Sequence, residues 1–181
     1  MADTQRLLST ILGLLANNAT GDISPQDVRD MVVSLFNGHG EISITVAAAT
    51  AVAAQNTWYP VSGTWALSDE AVNWDNPSVG RLGYTGPAKR CCHIACTVSI
   101  TSPSNNITYE WCIGLNGVPI TPSILRQKIG TAGDTQSTAV HAFIDVDNGD
   151  YLELMVRNIT DAADPTAVTG NLFVMDMLCD D

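Results

Sequence analysis

The residues best equipped for chemistry lie in two short stretches. Cys91 and His93 stand two positions apart, so in an extended strand both side chains emerge on one face and could form a thiolate–imidazole pair. Such a pair needs a third group to orient the ring, and the sequence identifies none. The same residues also serve as small packing side chains, because a free Cys behaves as a small hydrophobe. The chain's three histidines, His39, His93 and His141, are scattered and fall in no metal-ligand spacing with Cys or Glu. Asp145-Val146-Asp147-Asn148-Gly149-Asp150 has the carboxylate density of a calcium loop. Its glycine, however, falls fifth, where a ligand belongs, rather than sixth, where the loop turns sharply. Turn chemistry explains the run instead. Gly80, Gly83 and Gly86 lack the Lys that follows in a phosphate-cradling loop. The expectation is a chain with no catalytic residue, no metal and no cofactor; a hydrolase using Cys91 or the carboxylates is the third reading, behind the two given below.

Composition narrows the field further. A hydrophobic share of 45% against 15% charged residues is that of a chain able to bury a core. The net charge of −11 repels phosphate and anionic lipid, so neither nucleic acid nor a membrane surface is an expected partner. Five cysteines, Cys91, Cys92, Cys96, Cys112 and Cys179, form no even disulfide framework, which favours reduced thiols. Gly, Ser, Thr and Asn interrupt every apolar stretch before the roughly 20 residues that span a bilayer. Leu7–Ala16 follows Asp3 and a lone Arg6, poor flanks for a secretory signal.

The elements that must position these residues begin with helices. Leu7, Ile11, Leu14 and Leu15 recur at helical spacing between Thr4 and Ala16, and Asn17-Asn18-Ala19-Thr20-Gly21 ends that segment. A second helix opens with Ser24 as cap, Pro25 at the first helical position and Asp27 at the third. Val28, Met31, Val32 and Leu35 form its apolar face and Asn37-Gly38 ends it. The two helices are expected to pair as an αα-hairpin.

Strands follow. Ile42, Ile44 and Val46 alternate with Ser43 and Thr45, and an alanine-rich stretch runs from Ala47 to Ala54, either a linker or a close-packed segment between chains. Past Trp58, short strands recur every 8–12 residues between Gly, Pro, Asn and Asp, the pattern of an antiparallel sandwich. Cys92, Ile94, Cys96, Val98 and Ile100 alternate within a long strand, Arg90–Thr101. Tyr109, Trp111, Ile113 and Leu115 do the same, and Asn116-Gly117 turns that strand back toward Val118-Pro119-Ile120. The spacing also predicts a hairpin between Ala139–Asp147 and Tyr151–Asn158, with a three-residue or bulged turn so that Ala142, Ile144 and Val146 share a face with Leu152, Leu154 and Val156. Leu172–Leu178 is too apolar for an exposed edge and reads as a central strand.

Gly80-Arg81-Leu82-Gly83-Tyr84-Thr85-Gly86-Pro87, the strand Arg90–Thr101, Asn116-Gly117-Val118-Pro119-Ile120 and Asn148-Gly149-Asp150-Tyr151-Leu152-Glu153-Leu154 occur in an order that resembles the C1q/tumour-necrosis-factor-like jelly-roll heads of bacteriophage structural proteins. Asn17–Leu35, containing Gly21-Asp22-Ile23-Ser24-Pro25, resembles a helical module near the start of phage virion proteins. The resemblance implies a mainly β chain, an antiparallel C1q/TNF-like jelly-roll sandwich behind a short N-terminal α-helical module. It divides the chain into a helical anchor (1–40), a strand or linker segment (41–57) and the head (58–181). It further implies a homotrimer on the virion surface, assembled in the bacterial cytoplasm, that binds the major capsid protein or another virion protein as a decoration, or cement, protein. The anchoring candidates are Leu7, Ile11, Leu15, Val28, Met31, Val32 and Leu35. The second reading is a short tail fibre or receptor-binding tip whose loop aromatics, Trp58, Tyr59, Trp65, Trp74 and Tyr84, recognise a host glycan or protein.

Overall fold

The computed structural model describes Thr10, Gly13, residues 23–35 and residues 38–178. Leu7, Ile11 and Leu15, Cys179 and the first expected helix apart from Thr10 and Gly13 lie outside the described residues, as does the side chain of Leu35. Helix α1 (Pro25–Leu35) starts as its residues dictate. The Ser24 backbone amide and hydroxyl both donate to Asp27 Oδ2, at 2.9 and 2.6 Å, and the Asp27 amide donates back to Ser24 Oγ at 3.2 Å. This reciprocal box satisfies helix-end donors that otherwise have no partner inside the helix.

Twelve strands follow among the described residues: β1 (His39–Ala49), β2 (Tyr59–Pro60), β3 (Gly63–Leu67), β4 (Trp74–Asp75), β5 (Arg81–Tyr84), β6 (Arg90–Thr101), β7 (Ile107–Leu115), β8 (Val118–Pro119), β9 (Leu125–Ile129), β10 (Gln136–Val146), β11 (Tyr151–Asn158) and β12 (Thr166–Leu178). They form an antiparallel sandwich. One sheet runs β10-β6-β12-β1-β3; the other runs β4-β5-β11-β7-β8, with β2 added to β11 and β9 to β7. Between them lies a core that includes Cys92, Ile94, Ile100, Tyr109, Trp111, Leu152 and Leu172. The alternation read along Arg90–Thr101 is the alternation observed, with Cys92, Ile94, Cys96, Val98 and Ile100 all buried. Residues 41–49, set apart in sequence from the head, pair inside the first sheet, and Ile42 is fully buried there. Register shifts after Ser43 and Ile44 interrupt the expected alternation, and Val46 is left exposed.

The expected hairpin between Ala139–Asp147 and Tyr151–Asn158 does not form. β10 and β11 are not a hairpin: β10 pairs with β6 along its whole length, whereas β11 pairs with β7, β5 and β2 in the opposite sheet. The Asn148-Gly149 turn therefore carries the chain across the sandwich. Both apolar sets still face one core, from opposite sides, so the register that the sequence favoured has no ladder to act on. The arch is held on two sides. Gly149 adopts φ +91°, the Asp150 amide donates to the Asp147 carbonyl at 3.0 Å, and Asn148 Nδ2 donates to the Gly86 carbonyl at 3.0 Å. Asn116 Nδ2 donates to Asp150 Oδ1 at 2.7 Å, joining the arch to the β7–β8 hairpin, which turns as expected with Asn116 and Gly117 at φ 52° and 79°.

Candidate assembly surface

The two sheets present different outer faces. On β7 and β11 the outward side chains are closed by ion pairs. Glu110 Oε1 accepts from Arg126 Nη2 at 2.6 Å while its Oε2 faces Arg157 Nη2 at 2.5 Å, and Arg81 Nε lies 3.4 Å from Glu153 Oε2. The guanidinium of Arg157 sits 4.7 Å above the Trp58 ring and that of Arg81 sits 4.0 Å above the Tyr151 ring. Burial pushes the Glu110 carboxyl up, but hydrogen bonds from the two arginines outweigh burial and leave it below its ordinary value. Glu153 differs, because burial outweighs Arg81 and the carboxyl stays raised.

The five-stranded sheet shows the opposite character. Because Cys92 and Ile94 point inward on β6, Cys91, His93 and Ala95 point outward, and the ladders line these up with outward residues of neighbouring strands. Phe143 stands opposite His93, His93 opposite Met175, and Met175 opposite His39, a continuous row across four strands. Beside it runs a second row of His141, Ala95, Phe173 and Glu41. Phe143 is 71% exposed, Met175 46% and Met177 37%. His93 stacks on Phe143 with ring centroids 4.9 Å apart, and on His141 at 5.7 Å with the planes 7° from parallel. Large exposed apolar patches on folded proteins are often interaction surfaces. Past the second row a shallow depression of about 540 Å³ opens, lined by hydroxyl and amide groups that include Thr97, Ser99, Ser137 and Asn171.

No protein-family model matches this chain, and no curated protein does. Among solved structures it is similar to murine APRIL at pH 5.0, with 7% identity over 78% of this chain and 100% of that one and a TM-score of 0.51. It is also similar to the Eiger TNF of S. frugiperda, with 9% identity over 81% of this chain and 94% of that one and a TM-score of 0.50. The fold is a TNF-like jelly roll. At these identities the likeness is one of fold, and function has to be argued from the surface of this chain.

The anchoring candidates that can be placed lie on α1. Val28 and Val32 are 46% and 45% exposed and Met31 is half-buried, so the apolar face of α1 remains largely open among the described residues. Of the five aromatics considered for glycan stacking, Trp65, Trp74 and Tyr84 are buried, the last two with rings 5.0 Å apart, and only Trp58 and Tyr59 reach solvent. Cys91 and His93 share a face, as their spacing requires; Cys91 Sγ donates to Asp145 Oδ1 at 3.2 Å, and His93 stacks on the rings of Phe143 and His141. Burial raises the thiols of Cys96 and Cys112 to about 12, which removes them from nucleophilic chemistry near neutrality. Sequence reasoning missed the Phe143–His93–Met175–His39 row. Its signal was the outward half of each alternating strand, legible within strands but not between them.

Proposed function

We propose that this chain is a structural virion protein: a homotrimeric TNF-like head that decorates and cements the outside of a bacteriophage capsid. The observation that carries the trimer is the asymmetry between the sheets. One outer face is sealed by arginine–glutamate pairs, while the other exposes Phe143, Met175 and Met177 around stacked histidines. Subunits meeting through the second face bury side chains that water otherwise surrounds, at about 25 cal/mol for each Å² of apolar surface removed. Helix α1 supports the anchoring half of the reading, since its open Val28 and Val32 face suits a groove on the capsid shell. The resemblance of residues 17–35 to a phage helical module supports the same assignment.

As a mechanism, cementing needs no chemistry. A protein that binds only the assembled shell shifts the assembly equilibrium by mass action, and three anchors on one trimer multiply a weak contact through effective concentration. The test uses full-length protein carrying Val28→Glu and Val32→Glu, mixed with undecorated shells and sedimented. The variant should stay in the supernatant as a trimer while the unaltered chain pellets with the shells. Equal pelleting overturns the anchor. Reconstruction of labelled particles locates the head, and label on the tail instead of the shell would favour the receptor-binding alternative.

A further inference from the structure

All three histidines of the chain face outward on the five-stranded sheet, on three different strands: His39 on β1, His93 on β6 and His141 on β10. We infer that this histidine face is an acid-release switch for the trimer, closed with neutral imidazoles and opened when they take up protons; the inference rests on the trimer proposed above. The occupant of the face is a second copy of the chain, for reasons of charge. In a molecule of net charge −11, copies repel one another over most of their surface. On this face the ionisable groups beside the imidazoles are few. Lys89 and Asp145 pair at 3.0 Å at one border, Glu41 accepts from Asn171 Nδ2 at 2.8 Å at the other, and the Cys91 thiol bonds Asp145. β12, which runs between β6 and β1, adds no ionisable group there; its outward side chains include Asn171, Phe173, Met175 and Met177. It is thus a nearly neutral patch on which like-charged copies can approach.

The direction of the switch follows from burial. An imidazole covered by a neighbouring subunit's apolar surface loses solvation for its charged form; His93 stacks on Phe143 and His141 and stands opposite Met175, while Glu41 lies two residues along the strand from His39 and Asp145 lies diagonal to His93. His93 and His141 stack face to face, so protonating both also sets two like charges 5.7 Å apart. Separated subunits carry these charges in water at little cost. Acid therefore favours separation, at most about tenfold in the dissociation constant per covered imidazole for each pH unit. The overall charge of the chain works the other way, because −11 shrinks on acidification and repulsion between copies falls with it.

Those opposed signs make the experiment decisive. Sedimentation of the full-length protein at pH 7.5 and pH 5.5 should give trimer at the first and monomer at the second, with an unchanged far-ultraviolet β signal. His93→Gln with His141→Gln should hold the trimer at pH 5.5. A trimer as tight or tighter at pH 5.5, dissociation that the double variant does not suppress, or dissociation accompanied by unfolding overturns the switch. A monomer at pH 7.5 instead removes the trimer on which the switch rests.

Discussion

Asp176 ties three parts of the head together: it accepts the Gly38 amide at 2.7 Å and the Trp74 indole at 3.4 Å, and lies 3.8 Å from Arg90 Nε with both charged side chains fully buried. Removing one member of a buried pair leaves the other charge uncompensated, so Asp176→Ala should cost about 3–5 kcal/mol, read from urea unfolding midpoints. Nothing in the sequence announces this role, because Asp176 reads there as one polar break in an apolar strand and Arg90 belongs to a different strand. Glu110 and Glu153 give the residue scale its pH dependence. The Glu110 carboxyl is lowered in the folded state, so its contribution is full above the unfolded value of about 4.3 and is lost as pH falls through the folded value. Glu153 is raised, so its ionisation detracts from stability as pH climbs from the unfolded value of about 4.3 through its higher folded value. Glu110→Gln should therefore lower stability at pH 7 and flatten the acid limb of a stability-against-pH curve, while Glu153→Gln should leave stability at pH 7 equal or higher.

Among elements, the same dipeptide does two jobs. Asn116-Gly117 closes the β7–β8 hairpin and Asn148-Gly149 arches between sheets. Both glycines sit at positive φ, +79° and +91°, where a side chain is disfavoured. Gly117→Ala and Gly149→Ala should each lower the thermal midpoint, at a cost of about 1 kcal/mol. Local turn chemistry was legible in sequence at both places, as were the capping box of α1 and the full span of β6. What was not legible is which strand each turn serves, since alternation is equally satisfied by a hairpin and by two strands facing each other across a core. The answer lies in the β10–β6 ladder, made between residues distant in the chain. At the start of α1, Ser24→Ala removes the hydroxyl that both donates to and accepts from Asp27, and should cost the helix about 1 kcal/mol, visible as reduced helical circular dichroism.

For the whole molecule, the sandwich and its central closing strand were readable from composition and periodicity, whereas the histidine face was not. Histidines scattered in sequence become neighbours only when β10, β6, β12 and β1 are laid side by side. Phe143→Asp places a charge within the proposed contact, on its edge strand β10, and should yield a folded monomer by light scattering, with the thermal midpoint of the head little changed. β12 pairs with β6 on one side and β1 on the other, yet follows every other strand among the described residues. During synthesis, β10–β6 and β1–β3 must therefore wait as two unjoined halves, with the interior that β12 will cover left open, until the last of these strands leaves the ribosome. Such a chain completes its sheet only late, and crowded nascent copies could supply one another's missing strand before their own emerges.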